Sequence, residues 1–177
     1  SIPTGGTTLL VRTALTDDTT QEGPETFTLT ATNTGGTSGT AVATVKDDGS
    51  GTRYTGGVST TNGVSTPSVD TSTPADDDRP LSVADITVNE GSPYAVFTVT
   101  GAAGQKVSLA LGNTSSGEDT DATLGTDTAN AGTGVPLQVW DPTAGIGGEW
   151  VDYTPNSLVS IPTGGTTLLV RTALTDD

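Results

Sequence analysis

The sequence predicts an all-β fold, an antiparallel sandwich of short strands, and three observations carry the prediction. Apolar and polar residues alternate with the period of a strand in several separate runs, Phe27-Thr28-Leu29-Thr30-Ala31 being one of them. Gly-, Asn- and Asp-containing turn signals separate these runs at intervals of about 8–12 residues. No stretch has the 3.6-residue apolar stripe and cap of a helix. The composition agrees, because 24 Gly and 10 Pro with abundant Thr and Ser favour turns and strands. With 31% hydrophobic and 4% aromatic residues, any core is thin and made of Val, Leu, Ala and Thr.

The chain is organised around a stretch that occurs twice. Ser1–Asp18 reads SIPTGGTTLLVRTALTDD, and Ser160–Asp177 is identical to it. Identity over that length predicts a window on a tandem array that starts and stops inside a repeat. Within the first copy, Thr4-Gly5-Gly6 is a turn signal, and Thr7–Leu15 has strand periodicity. Leu9, Val11, Thr13 and Leu15 fall on one face, and Thr8, Leu10, Arg12 and Ala14 on the other.

Next come a strand at Glu25–Ala31, a turn at Asn33–Gly39 and a strand at Thr40–Val45, which together read as a hairpin. Residues 49–80 are rich in Gly, Ser, Thr and Pro with few large apolar side chains, so a linker is expected, with room for one added edge strand. From Leu81 the alternation resumes: Ala84, Ile86 and Val88, then Ala95, Phe97 and Val99, then Val107, Leu109 and Leu111. A long insert, 113–149, contains Glu118, Asp119, Asp121 and Asp127. Short strands at Pro136–Trp140 and Glu149–Tyr153 precede the second copy. The expected division is 1–48, the C-terminal part of one sandwich; 49–80, the linker; and 81–177, the N-terminal part of the next.

Charge and composition narrow the function. A formal net charge of −15 repels nucleic acid and anionic membranes and attracts divalent cations. With no Cys, Met or His, the chain has no disulfide, thiolate or imidazole chemistry and lacks the usual zinc and haem ligands. No apolar run approaches a membrane span. A Cys-free, Thr-rich acidic chain suits an exported bacterial protein, at the cell surface or outside it. Paired carboxylates could serve a glycosidase, but no aromatic-lined cleft accompanies them, so no enzyme is expected. Trp140 and Trp150 read as packing residues; the rival use, a carbohydrate-binding module, would place a glycan on the insert that holds them. Asn113-Thr114-Ser115 matches a glycosylation sequon, which is a weak signal.

The acidic residues gather at strand ends, and Ca²⁺ takes six to eight oxygen ligands of this kind from loops. A lone acidic loop residue is ordinarily solvated surface, so the ordered set carries the reading. V-N-E-G at 88–91, F-T-V-T at 97–100, D-Y at 152–153, I-P-T-G-G-T-T at 161–167, T-D-D-T-T-Q-E-G-P-E-T-F-T-L at 16–29 and A-T-V-K-D-D-G at 43–49 together resemble a Calx-beta repeat. The resemblance implies an immunoglobulin-like sandwich from a large bacterial surface, adhesin, matrix or filament protein. It also implies Ca²⁺ held by Glu90, Asp152, Asp17, Asp18, Glu22, Asp47 and Asp48, with Asp176 and Asp177 as copies of Asp17 and Asp18. In family terms 81–177 lacks the last two strands, which 19–47 would supply. The implied partner is a copy of this chain or the next repeat, in a head-to-tail fibre or stalk. Neither nucleic acid nor membrane insertion is expected.

Overall fold

The computed structural model describes residues 1–61, 64–112, 122, 127–128 and 137–175. These residues contain no helix; every sheet is antiparallel, and the chain is all-β and sandwich-like as expected. They form two compact units, Ser1–Asp78 and Arg79–Asp177.

The first unit begins with 24 residues outside any strand, the first copy of the repeat included. The turn of that copy is tied: Gly6 N donates to Pro3 O at 2.9 Å across Gly5, whose φ of +83° suits glycine. The strand expected at Thr7–Leu15 is absent, although its sequence is sound. β1 (Glu25–Thr32) and β2 (Ser38–Val45) form the expected hairpin, in register from Glu25↔Val45 to Thr32↔Ser38. Asn33 builds its turn, with Oδ1 accepting from Gly35 N and Thr37 N, each at 2.9 Å. Phe27, Leu29 and Ala31 face Ala43, Ala41 and Gly39 on one side, and Thr26, Thr28 and Thr30 mark the other. Both faces are exposed.

The stretch 49–80, expected to be a linker, contains a second hairpin. β3 (Tyr54–Thr61) pairs with β4 (Val64–Val69), with a register shift between Tyr54 and Val58. Its strands carry Thr, Ser and Gly on both faces, so main-chain pairing rather than burial defines them. The base is stapled by Arg53 and Asp70 at 3.3 Å. Asp70 also accepts from Ser72 Oγ, Ser72 N and Thr73 N, and these bonds, the Ser72 hydroxyl first, hold its carboxyl far below the usual range. Beyond this hairpin, Asp48 bridges Asp77, and Gly49 N donates to Asp76 O at 2.8 Å. The two ends of the 49–76 excursion therefore meet.

The second unit holds the buried core. Its strands are β5 (Ser82–Val83), β6 (Tyr94–Thr100), β7 (Lys106–Val107), β8 (Gln138–Asp141), β9 (Glu149–Asp152), β10 (Val159–Ser160) and β11 (Thr167–Ala173). One sheet has the order β5-β6-β11-β8-β9, and β7 pairs with β10 in a separate ribbon. The central strand, β11, is the second copy of the repeat. It pairs with β6 along its whole length, from Thr167↔Thr100 to Ala173↔Tyr94, and with β8 at Val170↔Val139 and Arg171↔Gln138. Leu168 and Val170 enter a core with Val99, Val107, Leu137, Val139, Tyr153 and Ile161.

Two buried polar side chains of this unit, Tyr153 and Gln105, are satisfied by the main chain, whereas the buried Thr128 Oγ1 has no hydrogen-bond partner among the described residues. Tyr153 Oη accepts from Leu109 N at 2.9 Å and donates to Ser157 O at 2.7 Å. Gln105 accepts from Ala102 N and donates to Arg79 O, which ties down the start of the unit. Two expected strands are shorter than their patterns: β5 pairs only Ser82 and Val83, and β7 stops at Val107 although the alternation runs to Leu111. The end of the predicted insert is a hairpin, β8–β9, built into the main sheet. Most of the insert, including Asn113-Thr114-Ser115, Glu118, Asp119 and Asp121, lies outside the described residues.

Candidate metal centre

The bridge that closes the 49–76 excursion also assembles an acidic corner. Antiparallel pairing of Asp48 with Asp77 places Asp47 opposite Asp78, and side-chain alternation puts Asp76 and Asp78 on the same side. Carboxylate oxygens of Asp47, Asp76 and Asp78 all lie within 4.8 Å of one another. That spacing suits a hard cation, since oxygens bound to one Ca²⁺ at about 2.3–2.6 Å sit no more than about 5 Å apart. Glu22 N donates to Asp47 Oδ2 at 2.8 Å, fixing one carboxylate.

The corner is electrostatically unfavourable without a cation. Asp76 is pushed above the ordinary carboxylate range, first by desolvation and then by Asp17 and Asp47. Asp78 is pushed up by desolvation, then by Asp76, Asp47, Asp18 and Asp17. Asp17 and Asp18, although not converging on the oxygen triad, thus add to its negative field.

The sequence-predicted ligands are divided by the structure. Asp47 joins the triad, and Asp17 and Asp18 lie close enough to act on it. Asp18 itself caps Thr20 N at 2.8 Å. Glu22 contributes its amide to Asp47. Asp48 turns aside to cap Ser50, accepting from its N at 3.0 Å and from its hydroxyl, with Lys46 at 4.0 Å. Glu90 lies in the exposed Asn89–Ser92 turn, and Asp152, the last residue of β9, accepts from Gln138 Nε2 at 2.7 Å. Among the described residues neither belongs to a group of three convergent carboxylates. Asp176 and Asp177 lie outside the described residues. Asp76 and Asp78 were not anticipated; the i, i+2 spacing of two carboxylates in Asp76-Asp77-Asp78 was the available signal.

The aromatic residues form a different surface, on the side of the five-stranded sheet away from its core. Trp140 and Trp150 meet edge to face, centroids 5.6 Å apart at 69°. The Arg171 guanidinium lies 3.9 Å from the Tyr94 ring centroid and 4.4 Å from that of Trp150, and its Nε donates to Gln138 Oε1 at 2.8 Å. A ring face that a sugar would stack on is covered by this arginine.

No family model, curated protein or solved structure matches this chain.

Proposed function

We propose that this chain is a non-catalytic structural module of Calx-beta type, working outside the cell as one member of a head-to-tail series of copies and binding calcium at its acidic corner. The observation that carries the reading is the return of Ser1–Asp18, residue for residue, at Ser160–Asp177, which joins one copy of the pattern to the next. The convergence of Asp47, Asp76 and Asp78 under the field of Asp17 and Asp18 supports the calcium part. A divalent ion there would offset the desolvation, and the repulsion added to it, that lift both pKa values, and in a surface stalk it would hold the two ends of the 49–76 excursion together.

The test is hydrogen exchange across residues 1–78 with calcium and with chelator. A ligand that binds only the native state adds RT ln(1 + [L]/Kd), about 2.7 kcal/mol at a hundredfold excess over Kd. Amides near Asp47 and Asp76 should become protected with calcium, and Asp78→Asn should abolish the difference. Identical exchange in the two conditions would end the metal reading.

A further inference from the structure

We infer that the strand position between β6 and β8 is a binding site for residues 1–18 of a second copy of this chain. In that exchange Thr8–Ala14 takes the register now held by Thr167–Ala173. The inference rests on the reading of the chain as a self-assembling module, and it names the surface and the segment that assemble.

Sequence identity makes the exchange possible. Every contact that β11 makes is available to the first copy, because each side chain from Ser1 to Asp18 has an identical counterpart from Ser160 to Asp177. Leu9, Val11 and Thr13 would occupy the places of Leu168, Val170 and Thr172, and Arg12 the place of Arg171 between Tyr94 and Trp150. The donor segment is ready for use: it lies outside any strand, with Leu9 56% and Val11 61% exposed. Its side-chain tie to another part of its unit is the 2.7 Å bond from Arg12 to Gly56 O.

The first copy runs on into a hairpin, and that gives exchange a consequence. Within a few residues of Asp18 the chain enters β1–β2, which is amphipathic and exposed on both faces. A two-stranded hairpin alone is marginally stable, and its Phe27–Leu29–Ala31 face needs a layer to cover. The recipient has a matching deficit: among the described residues β7 pairs on one side, with β10, and its strand pattern continues to Leu111 beyond the paired residues. A hairpin delivered by the inserted strand would lengthen this ribbon.

Chain reach favours a second copy over the same chain. β11 and β5 both begin at the Thr100 end of β6, so a hairpin continuing from an inserted strand ends at the Tyr94 end. Returning from there to Ser82 means crossing about 25 Å of strand length and sheet spacing. The bridge at Asp48 and Asp77 leaves only about eight residue steps for it, about 26 Å fully extended. A second copy removes that constraint.

The experiment uses the full chain in three forms: Val170→Asp, Val11→Asp and both together, each measured by light scattering and by Trp140 and Trp150 emission. Val170→Asp removes the resident strand, so it should keep native emission only as dimers or larger assemblies, its slots filled from neighbouring copies. Val11→Asp should be a monomer with native emission. The double variant should lose native emission, and an 18-residue peptide of the Ser1–Asp18 sequence should restore it. Val170→Asp folded as a monomer would overturn the inference, as would Val170→Asp no better folded than the double variant. The two proposals fail separately: assembly and tryptophan emission here report the strand exchange alone, while the hydrogen exchange of residues 1–78 with calcium and with chelator reports the metal site alone.

Discussion

Ser1–Asp18 and Ser160–Asp177 are the same eighteen residues in two conditions. In the second, Leu168 is 2% exposed and Val170 4%, and the segment is the middle strand of a five-stranded sheet. In the first, Leu9 and Val11 are more than half exposed and the backbone pairs with nothing regular. Arg171 lies between two aromatic rings, while Arg12 reaches a carbonyl. Local propensity is equal by construction, so the difference measures what partners contribute. A strand is half of an interaction, and its alternation states only which face would be buried if a neighbour were present.

The largest test of that comparison truncates corresponding leucines. Leu168→Ala should cost the second unit about 2–5 kcal/mol, as large-to-small core changes do. Leu9→Ala should stay within about 0.5 kcal/mol, as surface changes do. Urea unfolding followed by tryptophan emission, run at high dilution, reads both. Equal losses would mean that both leucines are buried alike, and the comparison would fail.

A smaller effect sharpens it. Tyr153→Phe strands the Leu109 amide and the Ser157 carbonyl, and should destabilise the second unit by about 1–3 kcal/mol. Exchange across residues 1–78 should not change, because that unit has no such buried tether among its described residues. Smaller again, Arg171→Lys should cost about 1 kcal/mol through loss of planar stacking on Tyr94 and Trp150, with a shift in tryptophan emission. Arg12→Lys should leave that emission unchanged.

The smallest expected effect is one of pH. Asp76 and Asp78 have folded pKa values above their unfolded ones. Their contribution to stability is fully present below the ordinary carboxylate range and is lost as pH rises through the folded values. Without calcium, then, amides around Asp47 and Asp77 should exchange more slowly, relative to their intrinsic rates, as pH falls towards that range. Asp78→Asn should flatten the dependence. A corner that loosens on acidification would contradict charge repulsion among these carboxylates.

The same contrast between the two copies accounts for what was legible beforehand. β1 and β6 were readable because large apolar residues alternate with polar ones, Phe27 and Leu29 or Phe97 and Val99 sharing a face. β2 was readable because a Gly-rich turn joins it to β1, and β9 because Trp150-Val151 stands between polar ends. β3 and β4 were only faintly marked: Tyr54, Val58, Val64 and Val69 are spread among Thr, Ser and Gly, and they left room for one edge strand rather than a hairpin. The repeated stretch gave a correct strand in one place and an unused one in the other, because sequence identity carries no information about neighbours. Asp47 was legible as a candidate ligand. Asp76 and Asp78 were hidden by distance: only the Asp48–Asp77 bridge, across a segment taken for a linker, brings them beside it.

That bridge has a mechanical meaning. Tension along the chain reaches residues 48 and 77 as a force that separates two antiparallel segments at their neck, so their bonds are loaded one after another rather than together. Until the neck opens, residues 49–76 bear no load. Once it opens, the β3–β4 loop releases about 90 Å of extended chain. A single-molecule pull should record a step of that length at low force, before the sheet containing β11 yields, and the step should move to higher force wherever a cation bridges Asp47 to Asp76 and Asp78. Stored length of this kind would let the chain lengthen and recover under load without unfolding the core of the second unit.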